Sequence, residues 1–121
     1  MNKCVIIGNL TRSPELRTTG SGTNVCNFTV AVNRRRGEQE TTDYFRVTAW
    51  RQLGENCAQY LEKGRKVAVI GTVAARAYTG SDGAVYATME LTADEVEFLT
   101  PRSSGQGCTQ VSNDELPEEF R

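Results

Sequence analysis

The sequence contains no histidine, and that absence removes more chemistry than any other feature of its composition. Ser-His-Asp and Cys-His nucleophile pairs are excluded, as are histidine general bases. The cysteines, Cys4, Cys26, Cys57 and Cys108, show no CxxC spacing. A zinc site is therefore not expected, and neither another metal nor a cofactor is implied. There is no Walker loop, no GxGxxG run and no carboxylate pair set up for acid–base work, so no catalytic residue is expected. No apolar run approaches the ~20 residues of a membrane helix. The opening MNKCVIIGNL has too short an apolar stretch before Asn9 and Thr11 to act as a secretory signal. It reads as the first strand of a cytoplasmic protein, in which a disulfide framework is not expected. Cys4 and Cys26 fall in strand-like runs, as small core hydrophobes.

What the sequence does contain is a strand with two characters. In Thr42 to Arg51, TDYFRVTAWR, successive side chains of an extended chain point to opposite faces. One parity carries Phe45, Val47 and Ala49, a set suited to a core; the other carries Tyr44, Arg46, Thr48 and Trp50. Two aromatics with a cation between them suit a surface that stacks bases and pairs with phosphates. Tyr44 and Trp50 are separated by roughly 20 Å at the usual strand rise, room for several nucleotides. The competing reading buries one or both rings in a strand covered on both sides.

The surrounding chain reads as β. Lys3 to Leu10 is a first strand, Pro14 to Thr18 a short extended piece and Thr19 to Thr23 a glycine-rich turn. Asn24 to Asn33 alternates Cys26, Phe28, Val30 and Val32 inward with Asn27, Thr29, Ala31 and Asn33 outward. Arg34 to Thr42 is expected as a polar loop with a cationic root, Arg34, Arg35 and Arg36. That loop is either an ordinary solvated connection or a clamp on a phosphate backbone. Gln52 to Lys63 is the one good helix, with Leu53, Cys57, Tyr60 and Leu61 at helical spacing and Gly64 as its stop. Arg65 to Tyr78 is a long strand in which Gly71 suggests a sharp bend. Thr79 to Gly83 is a hairpin turn, and Val85 to Leu99 a last strand interrupted near Ala93 and Asp94. Five strands with a helix between the third and fourth match an all-β OB-fold, a small Greek-key barrel. On its hairpin arm Arg76 and Tyr78 share a parity and project together, unless Tyr78 covers the core edge.

The formal net charge of −1 conceals an uneven distribution. Residues 1–100 hold 12 Lys+Arg against 11 Asp+Glu, whereas residues 101–121 hold two Arg against four acids. Local charge, rather than the total, governs phosphate binding. The composition also changes after Thr100, which divides the chain into a domain over 1–100 and a tail over 101–121. PRSSGQGCTQVSN has little to bury and is expected to be a disordered linker spanning roughly 20 Å. It leads to Asp114, Glu115, Leu116, Pro117, Glu118, Glu119 and Phe120. This tip is either a solubilising acidic tail or a segment that docks into a basic pocket of another protein.

Taken together, these segments resemble the bacterial single-stranded DNA-binding protein (SSB) family. NKCVIIGNLTRSPELR is similar to the family opening NxVxLxGxLxxDPExR. NVCNFTVAVNR, DYFRVTAWRQLGENCAQYLEKGRKVAVIGTV and ARAYTGSDG follow in family order with family spacing. The resemblance implies an OB barrel working as a homotetramer on which single-stranded DNA wraps. It implies that Tyr44, Trp50 and Tyr78 stack bases, and that the acidic tip recruits replication and repair proteins. Backbone contacts are expected from Arg34, Arg35, Arg36, Arg46, Arg51 and Arg76, with Lys3, Arg12 and Lys66 added. Two departures stand out. Many members carry a further aromatic near the position of Arg34 to Arg36, where this chain has only cations. Arg121 follows Phe120, so the terminal carboxylate that family partners read is displaced from the ring.

The function expected is sequence-tolerant binding and protection of single-stranded DNA in replication, recombination and repair, in the nucleoid-associated cytoplasm. Three other readings compete. One is an OB-fold primosomal adaptor whose main role is protein contact. Another is a metal-dependent nuclease using Asp43 and Glu90, and the third is an RNA-binding role like that of cold-shock proteins.

Overall fold

The computed structural model describes residues 1–99; the expected linker, the acidic tip and Cys108 lie outside the described residues. In order come β1 (Cys4–Leu10), β2 (Glu15–Thr18), β3 (Asn24–Arg36), β4 (Gln39–Trp50), α1 (Arg51–Tyr60), β5 (Lys66–Thr79) and β6 (Val85–Phe98). The sheet order is β1-β5-β6-β4-β3-β2, and an additional β1–β3 pairing closes five of the strands into a barrel. The short β2 lies outside that ring, zipped antiparallel to β3. Strands β4 and β6 run parallel, from Phe45 opposite Met89 to Thr48 opposite Thr92. This closed Greek-key barrel, with one helix between its third and fourth strands, is the OB fold.

Period-two alternation fills the barrel. Phe28 and Val30 from β3, Val47 and Ala49 from β4, Val67 and Val69 from β5 and Leu91 from β6 all point inward and are buried. Among the described residues no polar or charged side chain is buried. The helix contributes Cys57, and Leu61 just beyond it closes the same cluster. Cys26 and Cys57 are free thiols with no exposure, and burial pushes them up to about 11 and about 12. Cys4 is half-buried and packs against the core from its edge.

The helix is shorter than its apolar spacing predicts. Leu61 is already extended, and its N–H donates to the Cys57 carbonyl at 3.0 Å. The Arg65 guanidinium then takes over the exposed helix end, donating to the Tyr60 carbonyl at 3.1 Å and to Glu62 Oε2 at 2.7 Å. Residues 62–65 therefore form a turn, and the polypeptide re-enters the barrel at Lys66.

The loop expected over Arg34 to Thr42 is instead part of a long hairpin. β3 and β4 stay paired out to Arg36 opposite Gln39, so the three arginines are strand residues and the turn is confined to Gly37 and Glu38. Beyond Ala31 the β1 pairing has ended, and β4 meets β6 only from Phe45 onward. The distal part of this hairpin is thus a free two-stranded arm. The β5–β6 hairpin forms a second one, paired from Thr79 opposite Val85 inward.

Gly71 sits at the root of that second arm. The β5–β6 register shifts between Ile70 and Gly71: Ile70 faces Glu95 and Gly71 faces Ala93, leaving Asp94 as the extra residue. The interruption expected near Ala93 and Asp94 is this bulge, and β6 continues through it. A Cβ at Gly71 would collide with the backbone carbonyl of Thr92. Gly71→Ala should therefore destabilise the fold by about 1–3 kcal/mol, read as a lower urea midpoint with an unchanged slope. An unchanged midpoint would mean that the bend does not depend on this contact.

Candidate nucleic-acid interface

The outer face of the barrel follows from register. Residues opposite one another in a ladder share a face, so the outward side of β4 sets those of its neighbours. Tyr44 lies level with Ala31, Arg46 with Thr29 and Glu90, and Thr48 with Asn27 and Thr92. One strand further, Ala74 is level with Glu90, Arg76 with Thr88 and Tyr78 with Tyr86. A single surface across β3, β4, β6 and β5 thus carries Tyr44, Arg46, Trp50, Arg76 and Tyr78. Tyr44 is 59% exposed, Trp50 42% and Tyr78 52%. The readings that bury these rings in the core are excluded. Short Ala31 and Thr29 side chains beside Tyr44 and Arg46 leave the ring face and the guanidinium accessible.

Trp50 ends β4, and Arg51 turns the chain at once into the helix, with φ +58° in the left-handed region that residues with a Cβ seldom adopt. Trp50 and Arg51 line a shallow groove with Thr19, Ser21 and Thr23 of the β2–β3 turn. A second recess gathers Arg12 and Arg46 with Asn27, Thr29, Thr48 and Glu90. Arg12 therefore lies beside the outer face of β4. A third runs along Tyr44 and Arg46 to Thr88 and Met89. The three recesses follow β4 from one end of its outer face to the other.

The remaining cations divide. Arg34 shares the inward parity of Val30 and Val32, whereas Arg35 shares the outward parity of Ala31 and hence of Tyr44. Arg36 returns to the Arg34 side. Arg34 is also engaged: Nη2 donates to Asp43 Oδ1 at 3.2 Å and Nε to Oδ2. That hydrogen bond holds the Asp43 carboxyl below its usual range and raises Arg34 in turn. Arg76 Nε donates to Glu90 Oε1 at 2.8 Å on the aromatic face itself. Lys3 sits 4.0 Å from Asp94, and Lys66 pairs in register with Asn9 on β1; neither lies on the aromatic strip. Asp43 and Glu90, the carboxylates of the nuclease reading, are each held by an arginine. Among the described residues no group of three or more His, Cys, Asp or Glu is placed to hold a metal ion.

One ring on this face was not anticipated. Tyr86, 42% exposed, stands level with Tyr78, with ring centroids 5.6 Å apart. The alternation that singled out β4 runs equally through Tyr86, Thr88 and Glu90 of β6, and would have found it.

The sequence model of the Single-strand binding protein family matches residues 1–99. The "Single-stranded DNA-binding protein" of Halalkalibacterium halodurans is 42% identical over 93% of this chain and 70% of that protein. The protein of the same name from Caldanaerobacter subterraneus subsp. tengcongensis is 40% identical over 99% of this chain and 83% of that protein. A third, from Staphylococcus aureus, is 40% identical over 86% of this chain and 69% of its own length. The family match covers every strand of the barrel and both arms that carry the exposed rings, and the chain belongs to the single-strand binding protein family.

Proposed function

We propose that this chain binds single-stranded DNA with little regard for sequence, protecting it during replication, recombination and repair. The observation that carries the reading is the single outer face on which Tyr44, Trp50 and Tyr78 are exposed with Arg46 and Arg76 between them. Flat rings accept any base, and guanidinium groups accept the phosphates between them. Residues 1–100 form the binding domain. Within it Arg12, Arg35, Arg46, Arg51 and Arg76 neutralise the backbone nearest the rings, and Arg34, Arg36, Lys3 and Lys66 act from the periphery. The tail over 101–121 recruits replication and repair proteins through the acidic residues around Leu116, Pro117 and Phe120. It acts in the cytoplasm in association with the nucleoid.

The working form is a homotetramer. Val5 and Ile7 are exposed on the outer face of β1, level with Ile70 and Ala68 of β5, around the barrel from the aromatic strip. Apolar side chains grouped on an exposed sheet face favour burial against another copy. Light scattering should give the mass of four chains, and Val5→Glu with Ile7→Glu should lower it. An unchanged mass in the double variant would remove this face from the assembly.

Trp50 is the one tryptophan, so its emission reports directly on the proposed contact. Oligo-dT should quench it strongly and duplex DNA of equal length should not. Trp50→Ala should weaken oligo-dT binding at every salt concentration by about 1–3 kcal/mol. Emission that ignores oligo-dT would take Trp50 out of the track.

The division of the arginines makes a further distinction. Arg35→Ala should flatten the plot of log affinity against log salt by roughly 0.7, the single-strand value for one phosphate contact. Arg34→Ala should flatten it less, because Asp43 already occupies that cation. Equal slopes for the wild type and Arg35→Ala would defeat the assignment of Arg35.

A further inference from the structure

The tip of the β5–β6 arm is more ordered than a connecting turn requires. Gly80 N–H donates to the Ala84 carbonyl at 2.8 Å and Gly83 N–H to the Gly80 carbonyl at 3.0 Å, which closes the turn. Asp82 then ties it to the strand: Oδ1 accepts the Ala84 N–H at 3.0 Å and Oδ2 accepts the Tyr86 hydroxyl at 2.6 Å. The Tyr86 ring is pressed over Gly80, where a Cβ would collide with it. It also meets Tyr78 at 5.6 Å between centroids, with the ring planes inclined by only 31°. Both rings keep about half their surface in solvent. Arg76 is the next residue on the same face of β5, roughly 7 Å along the strand.

We propose that Tyr78 and Tyr86 together form a two-ring stacking site for nucleobases at the end of the single-strand track, with Asp82 as the residue that positions Tyr86. The proposal rests on the single-stranded DNA reading and extends it to a ring and a carboxylate outside the expected contacts. A base lies on the paired rings while its phosphate reaches Arg76. The Asp82 carboxylate, at the tip, repels phosphate and turns the backbone toward the arginine side. The hydrogen bond to Tyr86 holds Asp82 below its usual carboxylate range, and the same bond raises the Tyr86 phenol, so the clasp is intact at neutral pH. With Tyr86 held by Asp82, Gly80 and Tyr78, stacking requires no further ordering of the ring.

The test uses the full chain and two fluorescent oligomers of equal length, oligo-dT and its abasic counterpart, which keeps the phosphates and lacks the bases. Tyr86→Leu keeps an apolar side chain without a π-face, and Tyr86→Phe keeps the face without the tether to Asp82. Tyr86→Leu should weaken oligo-dT binding about fivefold or more and change abasic binding less than twofold. Tyr86→Phe and Asp82→Asn should each show an intermediate loss, again confined to oligo-dT. Equal losses on both oligomers would assign Tyr86 to holding up the arm and overturn the proposal. No loss on either, with Tyr78→Ala still weakening oligo-dT, would overturn the role of Tyr86 while leaving the single-stranded DNA reading intact. A wild-type chain that binds the two oligomers equally would remove the parent reading and the proposal with it.

Discussion

The contact between Gly71 and the Thr92 carbonyl lets one strand belong to two structures. Below it β5 is a barrel stave, paired to β1 on one side and β6 on the other. Above it β5 leaves the barrel and pairs with β6 alone, carrying Arg76 and Tyr78 away from the core. The bulge at Asp94 absorbs the mismatch in length that this bend creates. Any side chain at position 71 would force the two strands apart, and the arm could not leave the barrel at this point. Barrel closure and the reach of the outer face are therefore linked through one backbone approach.

β4 is the second hinge of the arrangement, because its two faces answer to different demands. Val47 and Ala49 are wholly inside, while Tyr44 and Trp50, on the other parity, remain open. A slip of one residue would exchange the sets, placing rings in a core built for Val and Ala. Pairing on both sides, antiparallel to β3 and parallel to β6, holds that register. The surface rings are thus positioned by the same ladder that packs the interior.

Much of this was legible before any coordinates. Strict alternation in Thr42 to Trp50 put both rings on one face, because period two leaves no freedom within a strand, and the exposure of Tyr44 and Trp50 shows that this face is open. Gly71 and the Ala93–Asp94 irregularity were visible as a glycine inside a strand and a break in a β-rich run. What sequence could not supply was pairing across strands. The three consecutive arginines look like one cluster, yet the ladder sends Arg34 and Arg35 to opposite sides and places Asp43 beside the first. Helix length was overestimated because apolar spacing continues through Leu61, and nothing local reveals that Arg65 will seize the Tyr60 carbonyl. Tyr86 was legible in the alternation of its own strand; only its contacts with Tyr78 and Gly80 depend on the closed hairpin.

Two of the arginines proposed to meet DNA come with a carboxylate already in place: Asp43 for Arg34 and Glu90 for Arg76. An incoming phosphate that takes either cation displaces a tethered anion rather than an ion drawn from the solution. A tethered anion is not set free into the bulk, so this exchange yields none of the mixing entropy that makes polyelectrolyte binding steeply dependent on salt. Counting cations on this surface therefore overstates its response to ionic strength. The two acids act as built-in counterions that moderate the grip of the surface, while the uncharged rings supply a contribution that salt does not screen.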